Sequence, residues 1–328
     1  MVGRTALAVL LCSGIGALLF FTQQSDPEFE AFVAKYQKTY SSQEEYSRRR
    51  SLFYESTAKI QTHNSKGLSW RLGITEFADL TAEEFKAQRT ARYLGAPVQP
   101  TPLPVNSLPP AVDWQAQGAV SPVKNQGMCG SCWSFSTTGS IEGAHFLATG
   151  DLVSLSEQQI LSCSFGLKYD NFGCLGGQMT QAFQYVIDVG GLETEAKWPY
   201  DPYMDLICDA KSADFAASIS SYNSVPSGSQ LQLKAAVAQQ PTSVAVEADQ
   251  SSWQLYKGGI ISSDCGQALD HGVLAVGYGS ENGVDYWLVK NSWGEDWGES
   301  GFLRILRNDT DTSGGLCGIA LDASYPLV

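Results

Sequence analysis

The sequence is poor in histidine and in basic side chains, and each shortage excludes a class of function. It has only three histidines, His63, His145 and His271. None of them lies at metal-ligand spacing from a pair of cysteines, so we expect no metal and no cofactor. Lys and Arg number 21 against 34 Asp and Glu, which gives a net charge of −13. Phosphate backbones and anionic lipid surfaces repel such a chain, which argues against nucleic acid as a partner and against stable membrane association.

The composition is otherwise typical of a folded protein. The hydrophobic fraction is 43% and the charged fraction 17%, far from the composition of disordered chains. A length of 328 residues suffices for about two domains. The charge is distributed unevenly, because residues 1–107 carry 12 basic and 10 acidic side chains (+2) whereas residues 108–328 carry 9 basic and 24 acidic ones (−15). This difference indicates two separate units.

The amino-terminal segment and a proline-rich segment mark the boundaries of these units. Arg4 precedes the 16-residue apolar run Ala6–Phe21, which is short for a membrane span and typical of a secretory signal peptide, assigned here to residues 1–22. An uncleaved anchor is the alternative. Gly95–Pro110 contains six of the 13 prolines, which fix φ and lack a backbone donor, so this segment predicts an extended, cleavable linker.

The number of cysteines predicts one unpaired thiol. Without Cys12 of the signal peptide, seven cysteines remain. In an oxidising compartment six of them can pair, and the seventh is either an intermolecular link or a reactive group. Cys129 and Cys132 form a Cys-x-x-Cys motif. A thioredoxin-like redox pair would require a strand leading into this motif, and the preceding segment is short and rich in turns, which argues against that interpretation.

The residues after Cys132 are compatible with a helix that begins there. A thiol at the amino end of a helix lies at the positive end of the helix dipole, which favours the reactive thiolate. Such a nucleophile needs a proton acceptor. His145 lies 13 residues further along the same predicted helix, too far to turn back, and is interpreted as a half-exposed helix residue. His271 remains, at the start of an apolar, β-branched run that predicts a buried strand.

Asn291 completes a candidate constellation. It follows the next predicted strand, 20 residues after His271. An asparagine side chain can accept the imidazole N–H and hold the ring in one tautomer. Considered alone, Asn291 would be a turn residue that ends a strand. Together with Cys132 and His271, it indicates nucleophilic catalysis.

These motifs resemble the papain family of cysteine peptidases, in its cathepsin L-like form. Cys132 lies in a Cys-Gly-Ser-Cys-Trp motif, with His271 139 residues and Asn291 159 residues further on. Further matches in Leu108–Val328 are Gln126, Gly173–Gly177, Asp270–Gly272, Asn291–Gly294 and Gly315–Gly318. The residues that match the helix motif of the family's inhibitory propeptide are Glu45, Arg49, Phe53, Ile60 and Asn64, with Ser56 where Asn is usual. Gly73, Thr75, Phe77 and Asp79 resemble its companion motif, with Thr75 for the usual Asn.

The resemblance implies an α+β, papain-like two-domain fold preceded by a helical inhibitory propeptide. A helical domain would carry Cys132, and an antiparallel β-barrel-like domain would carry His271 and Asn291. The propeptide would span residues 23–107 and the mature peptidase residues 108–328, with processing near Ser107–Leu108. The periodicity of the sequence agrees, since it predicts helices first and strands later. The predicted helices are Cys132–Ala148, Glu157–Ser162 and Gly177–Val189, and the strands are Thr242–Ala248, Gly272–Gly279, Val284–Lys290 and Gly301–Leu306.

The resemblance also implies three disulfides that spacing alone cannot select from 15 pairings. They are Cys129–Cys174, Cys163–Cys208 and Cys265–Cys317, which would leave Cys132 free. The implied activity is that of a cysteine endopeptidase made as an autoinhibited zymogen. Its Cys132 thiolate would form a thioester acyl-enzyme, and the His271 imidazolium would protonate the leaving amine. Asn291 would orient the ring and Trp293 would shield that hydrogen bond, while the Gln126 side chain and the Cys132 N–H would bind the oxyanion.

Further residues are implied to bind an extended substrate. Gly176 and Gly177 would offer their backbone because no side chain blocks its approach. The pocket for the second residue upstream of the scissile bond would have apolar walls and a carboxylate at its floor. Met179, Ala245, Leu269 and Gly272 would form the walls, next to Asp270, and Asp322 the floor. The apolar walls favour Leu, Phe or Val, and Asp322 would add Arg and Lys; the alternative is that Asp322 turns to solvent.

The expected partners are protein and peptide substrates, the chain's own propeptide and cystatin-like inhibitors. The propeptide is slightly positive and the mature part strongly negative, so acid should loosen the propeptide and speed self-activation. We expect passage through the secretory pathway to a lysosome- or endosome-like compartment or to the extracellular space. Two other classes compete with this interpretation. One is a catalytically silent binding protein on the same scaffold, which would typically lack a catalytic Cys, His or Asn, and the other is a disulfide-bonded structural protein.

Overall fold

The computed structural model describes residues 26–91, 95, 99–203 and 207–328. The predicted signal peptide, residues 1–22, lies outside the described residues. Within the described ranges, no helix is both long and apolar enough to cross a membrane. The chain divides into two compact units between Thr39 and Tyr40. The first unit contributes helix α1 (Pro27–Lys35), which Asp26 caps by accepting a hydrogen bond from the Phe29 N–H at 3.2 Å.

The second unit begins with the segment that resembles a propeptide. Its elements are helix α2 (Gln43–Asn64), strand β1 (Trp70–Leu72) and helix α3 (Ala82–Arg89). Thr81 and Glu84 form a reciprocal capping box at the start of α3. Arg49 of α2 joins the two helices, because its guanidinium lies 2.7 Å from the Glu84 carboxylate. A helical propeptide region is thus confirmed.

The helical part of the remaining chain contains helices that agree with the predicted ones to within a residue or two. They are α4 (Cys132–Thr149), α5 (Glu157–Cys163) and α6 (Met179–Val189). Their apolar sides share one core that includes Trp133, Ile160 and Phe183. Helix α4 ends at Gly150, whose φ of +85° is a left-handed conformation that glycine adopts without strain.

The strands follow later in the chain, as predicted for an α+β fold. The main sheet contains β2 (Val112–Asp113), β5 (Ser221–Ser224), β6 (Thr242–Val246), β7 (Tyr256–Ile261), β8 (His271–Glu281), β9 (Val284–Lys290), β10 (Phe302–Leu306) and β11 (Ala323–Leu327). The two short strands β3 (Leu192–Glu193) and β4 (Phe215–Ala217) pair separately, and α7 (Gln230–Val237) and α8 (Ser251–Gln254) lie between strands. Single 3₁₀ turns occur at Gly173–Leu175, Ser212–Asp214 and Leu316–Gly318.

The order of strands in the main sheet is β1-β7-β10-β9-β8-β6-β11-β5, with β2 on β8. The pairs of this sheet are antiparallel, as the resemblance implies, except that β7 and β10 run parallel. Parallel neighbours need a long connection, and here it consists of β8 and β9. At the other side of β7, strand β1 of the propeptide extends the sheet by antiparallel pairing, with Trp70 opposite Gly259.

The helical part and the sheet both lie in the second compact unit, Tyr40–Val328. Helix α4 lies directly on strand β8, because Ser136 Oγ donates to the Val273 carbonyl at 2.7 Å. A Cβ on Gly139 would lie only 2.8 Å from Leu274, so glycine permits this close approach. The amino end of α4 is thereby held against the first residues of β8.

Part of the predicted linker is held in an extended conformation. Pro100 forms a parallel bridge to Ser224. The backbone N–H of Leu103 donates to Gln232 Oε1 at 2.7 Å, and Gln232 Nε2 donates back to the Leu103 carbonyl at 3.1 Å. Residues 92–94 and 96–98 lie outside the described ranges.

Candidate active site

Cys132 is the first residue of α4 and the only unpaired cysteine among the residues that the structure describes. Its side chain is buried, with 2% of the residue exposed. Its sulfur accepts a hydrogen bond from the Gly272 N–H at 3.3 Å. The thiol therefore lies beside the start of strand β8, in contact with the residue that follows His271.

His271 and Asn291 are brought together by the pairing of β8 with β9. Leu274 lies opposite Lys290 in this antiparallel pair, so the start of β8 and the end of β9 are neighbours. His271 Nε2 donates to Asn291 Oδ1 at 2.8 Å. This contact places the lone pair of the neutral ring on Nδ1. Nδ1 is buried and has no hydrogen-bond partner among the described residues, so it is available to accept a proton.

Trp293 covers this hydrogen bond. Its ring stacks on the His271 ring with the centroids 4.8 Å apart, and only 1% of the residue is exposed. Trp253 approaches the same imidazole edge-on at 6.0 Å. The His271–Asn291 contact therefore lies in an aromatic, water-poor environment in which a hydrogen bond is strong.

Gln126 is held by residues on both sides of its amide. Its Oε1 accepts from Ser292 Oγ at 2.7 Å, and its Nε2 donates to the Cys129 carbonyl at 2.9 Å. The same nitrogen also donates to the carbonyl of Arg89, in the propeptide, at 3.2 Å. Ser292 was not among the predicted site residues, although its position next to Asn291 could have suggested a role.

Burial shifts the pKa values of Cys132 and His271 in the directions that oppose the thiolate–imidazolium pair suggested by the sequence. Burial raises the pKa of the Cys132 thiol to about 12, against the opposing Gly272 N–H. Burial also lowers the pKa of His271 to about 4, against the opposing hydrogen bond to Asn291. In this covered form the thiol and the imidazole are therefore neutral. The dipole of α4 alone does not produce a thiolate, because the desolvation of the charge outweighs it.

The propeptide segment Phe77–Ala91 lies over these groups. Phe77 and Phe85 pack edge-on against Trp293, with centroid distances of 5.6 and 5.3 Å. The Arg89 side chain donates to the Gly127 carbonyl at 2.8 Å. The Ala91 N–H donates to the Asp270 carbonyl at 2.7 Å. None of these partners could be identified from the sequence, since they are far apart along the chain.

Most of the predicted pocket residues meet at one place. Ala245 lies opposite Gly272 in the β6–β8 pair, and a Cβ on Gly272 would lie 3.3 Å from the Met179 sulfur. The Ala245 N–H donates to the Asp322 carbonyl at 2.9 Å, and the Asp322 residue is half-buried. Leu269 packs on the same apolar core as Met179 and Ala245.

Gly176 and Gly177 are also required by the local packing and backbone conformation. A Cβ on Gly177 would lie 2.6 Å from both the Trp133 ring and Asn171 Oδ1. Gly176 has a φ of +126°, a conformation that favours glycine. Packing behind the pair therefore demands glycine, in addition to the approach of a substrate backbone that the sequence suggests.

The remaining cysteines form three disulfides, Cys129–Cys174, Cys163–Cys208 and Cys265–Cys317. These are the pairs that the resemblance implies. Cys129–Cys174 fixes the loop before Cys132 to the turn before Gly176. Within the described ranges, no group of three or more His, Cys, Asp or Glu side chains is arranged to hold a metal ion.

An unpaired sulfur at a helix start, in contact with the residue that follows a histidine held by an asparagine, is the arrangement of a thiol-dependent hydrolase. The chain belongs to the papain family of cysteine proteases, whose model matches residues 108–327. The model of the cathepsin propeptide inhibitor domain matches residues 29–85. The chain is thus a papain-type cysteine endopeptidase preceded by an inhibitory propeptide.

Individual relatives agree with this assignment. The chain is 46% identical to cysteine proteinase RD21A of Arabidopsis thaliana over 313 residues. The aligned part covers 91% of this chain and 66% of that protein. It therefore spans about two thirds of the length of this relative. A recombinant stem bromelain precursor superposes with a TM-score of 0.86 at 37% identity, covering 92% of this chain and 99% of that one. Digestive procathepsin L 3 of Tenebrio molitor superposes with a TM-score of 0.81 at 40% identity, covering 92% of this chain and 98% of that one.

Proposed function

We propose that Cys132, His271, Asn291 and Gln126 carry out peptide-bond hydrolysis in the processed enzyme. The observation that supports this most directly is the contact of the Cys132 sulfur with the Gly272 N–H at 3.3 Å. This contact brings the only unpaired sulfur of the described residues to the residue after His271. Removal of the propeptide admits water, which reverses the desolvation that keeps both groups neutral. The proton of the thiol then passes to His271 Nδ1, and thiolate and imidazolium stabilise each other.

The reaction then proceeds in two halves. The thiolate attacks the substrate carbonyl, and the imidazolium protonates the leaving amine, which leaves a thioester on Cys132. Neutral His271 next takes a proton from water, and the resulting hydroxide equivalent releases the acid product. Asn291 keeps the ring in the same tautomer throughout.

Gln126 supplies one donor to the developing oxyanion, and the Cys132 backbone N–H supplies the other. The Arg89 carbonyl, 3.2 Å from Gln126 Nε2, supports this role, because a peptide carbonyl of the propeptide already uses that donor. Ser292 fixes the orientation of the amide, since its hydroxyl donates to Gln126 Oε1.

The pocket formed by Met179, Ala245, Leu269 and Gly272 is proposed to select the second residue upstream of the scissile bond.

 Leu269 and its three neighbours offer apolar walls that suit Leu, Phe or Val, and the Asp322 carboxylate would add Arg and Lys. The half-buried position of Asp322, beside Ala245, supports this dual acceptance.

Peptide-library profiling of the processed enzyme and of its Asp322→Ala variant tests both hydrolysis and selectivity. We expect the wild type to accept apolar and basic residues at the second upstream position. In Asp322→Ala, acceptance of Arg and Lys should fall about tenfold, because an ion pair at a partly buried site contributes on the order of 1.4 kcal/mol. Acceptance of Leu should change little. Asp322→Asn is the matched control, because it keeps the shape of the side chain and removes only its charge. Absence of Arg acceptance in the wild type, or its persistence in Asp322→Ala, would refute the proposal.

We also propose the limits 1–22 for the signal peptide, 23–107 for the propeptide and 108–328 for the mature enzyme. Ser107 has a φ of +66° and is exposed, which supports cleavage at Ser107–Leu108. Passage through the secretory pathway is consistent with the disulfides and the propeptide. A lysosome- or endosome-like compartment or the extracellular space is the proposed destination, and cystatin-like proteins are proposed inhibitors.

Acid is proposed to accelerate removal of the propeptide through carboxylates whose pKa is lowered. Burial raises the pKa of Glu84, but hydrogen bonds from the Thr81 N–H, Arg49 and Arg48 outweigh it and hold the pKa at about 2. A carboxylate with a lowered pKa stabilises the fold above its ordinary pKa of about 4.3, and this contribution is lost as the pH falls toward 2. Asp270 has the opposite effect on the pH dependence, because burial raises its pKa to about 7. Its protonation in acid stabilises the covered form rather than loosening it. The acceleration should therefore begin below about pH 4.5.

Glu84→Gln should loosen the propeptide without acid. The variant removes the charge that pairs with Arg49 and Arg48, so we expect self-processing near neutral pH to accelerate about three- to tenfold. Its rate should also rise less steeply than that of the wild type below about pH 4.5. Glu55→Gln, at an exposed position of α2, is the control. Processing rates are measured by gel densitometry across the pH range, and a wild-type rate that is flat from neutral to acid pH would contradict the proposal.

A further inference from the structure

A pair of carboxylates lies beside the catalytic groups, outside the pocket that contains Asp322. Asp249 and Asp270 each have one oxygen held by the peptidase itself. Gln250 Nε2 donates to Asp249 Oδ1 at 2.7 Å, and the Ala248 N–H donates to Asp270 Oδ1 at 2.8 Å. The second oxygen of each carboxylate is not used in this way.

One of these second oxygens binds a positive charge, and the other is buried without a partner. Asp249 Oδ2 accepts from the ammonium group of Lys86, in the propeptide, at 2.6 Å. Asp270 Oδ2 is buried and has no hydrogen-bond partner among the described residues, and only 7% of the Asp270 residue is exposed. Because Lys86 leaves with the propeptide, the processed enzyme retains a two-carboxylate site without its cation. This site is called the Asp249 site below.

The path of the propeptide shows on which side of the scissile bond the Asp249 site lies. Lys86 contacts Asp249, and the Arg89 carbonyl then contacts the Gln126 amide. Further along, a Cβ on Gly95 would lie 3.9 Å from the Asp322 carboxylate. Asp249 and Asp322 therefore lie on opposite sides of the oxyanion donor, and Asp270, whose carbonyl accepts from the Ala91 N–H, lies between them. Since Asp322 belongs to the upstream side, Asp249 belongs to the leaving-group side.

There is room for a substrate side chain beside Asp249, because the Lys86 side chain itself occupies this place. The open groove next to Lys86 is lined by Thr90, Ala91, Leu269 and Asp270 and not by Asp249. Since Leu269 belongs to the upstream pocket, this groove is assigned to the upstream side. On the leaving-group side, a lysine or arginine stem of a substrate can follow the path of the Lys86 stem while its charged head reaches Asp249.

We propose that the Asp249 site is a subsite that selects a lysine or arginine within the first two residues after the scissile bond. This inference rests on the proposed hydrolytic function and adds a specificity-determining residue, Asp249, on the leaving-group side. Asp249 offers its charge to the end of the substrate's lysine or arginine side chain, and it does not touch the reacting bond. Its removal should therefore affect the choice of substrate and leave the hydrolysis of neutral substrates unchanged.

The test uses the processed enzyme and internally quenched peptides that differ only at the first or the second residue after the scissile bond. Each position carries lysine or norleucine, which has a similar apolar stem without the charge. For the wild type we expect kcat/KM to be about five- to tenfold higher with lysine at one of the two positions. In Asp249→Asn this ratio should fall close to one, while kcat/KM for the norleucine peptides stays within about twofold.

Two further variants make the result decisive. Asp151→Asn removes one negative charge from an exposed position elsewhere, and Asp249→Ser serves if Asp249→Asn does not fold. The proposal is overturned if the wild type shows no preference for lysine at either position. It is also overturned if the preference survives in the Asp249 variants, or if Asp151→Asn lowers it equally. An enzyme that hydrolyses the norleucine peptides but lacks the preference refutes this inference alone, whereas failure to hydrolyse any peptide refutes the proposed function as well.

Discussion

Replacing His271 by alanine in the processed enzyme should reduce kcat/KM for a peptide substrate by a factor on the order of 10⁴–10⁶. His271 is the only histidine in contact with Asn291, at 2.8 Å, among the residues that the structure describes. In the proposed mechanism its Nδ1 takes the thiol proton and returns it to the leaving amine. Without it the thiol keeps its proton, and acylation and deacylation both lose their general acid and base.

The matched control for this variant is His145→Ala. His145 lies near the end of α4 and is half-buried, as the sequence predicts. It has no contact with the site, so its loss should change kcat/KM by less than about twofold. Thermal unfolding of both variants shows whether they are folded. Comparable activity of the two variants would contradict the assignment of His271 as the catalytic base.

Cys132 should be far less reactive before the propeptide is removed than after. In the covered form, burial raises the pKa of its thiol to about 12, so the thiolate is a very small fraction at neutral pH. In the proposed mechanism the imidazolium of His271 stabilises the thiolate of the processed enzyme. We expect the rate of alkylation by iodoacetamide at neutral pH to rise by a factor on the order of 10³ or more on processing. Mass spectrometry of the modified peptide measures this rate.

Two controls separate desolvation from simple loss of the thiol. The unfolded proenzyme should react at the ordinary rate of a free cysteine, which shows that Cys132 is not oxidised. An epoxide reagent should label Cys132 once in the processed enzyme and abolish hydrolysis. Equal alkylation rates before and after processing would show that the covered site already holds a thiolate. The neutral pair described above would then be wrong.

The fold class and most helix and strand positions could be predicted because they depend on local periodicity. The apolar pattern after Cys132 gave a helix that begins at the observed residue, and Val284–Lys290 was predicted with its observed ends. The short elements α8 and β7 were missed, since four to six residues carry too little periodicity. The parallel pairing of β7 with β10 was also missed, because neighbouring strands far apart in the chain leave no local pattern.

The sequence by itself determined the candidate chemistry, since an odd number of cysteines, a predicted helix start at Cys132 and the spacing to His271 and Asn291 indicate a nucleophile, a base and a residue that orients the base. Only the tertiary structure decided the state of these groups. Phe77, Phe85 and Arg89 come from distant positions and exclude water, and desolvation then keeps the thiol neutral although the helix dipole favours the thiolate. The contact between Lys86 and Asp249 likewise joins residues 163 positions apart. Motifs report local conformation and residue type, whereas burial and ion pairs depend on which distant segments the fold brings together.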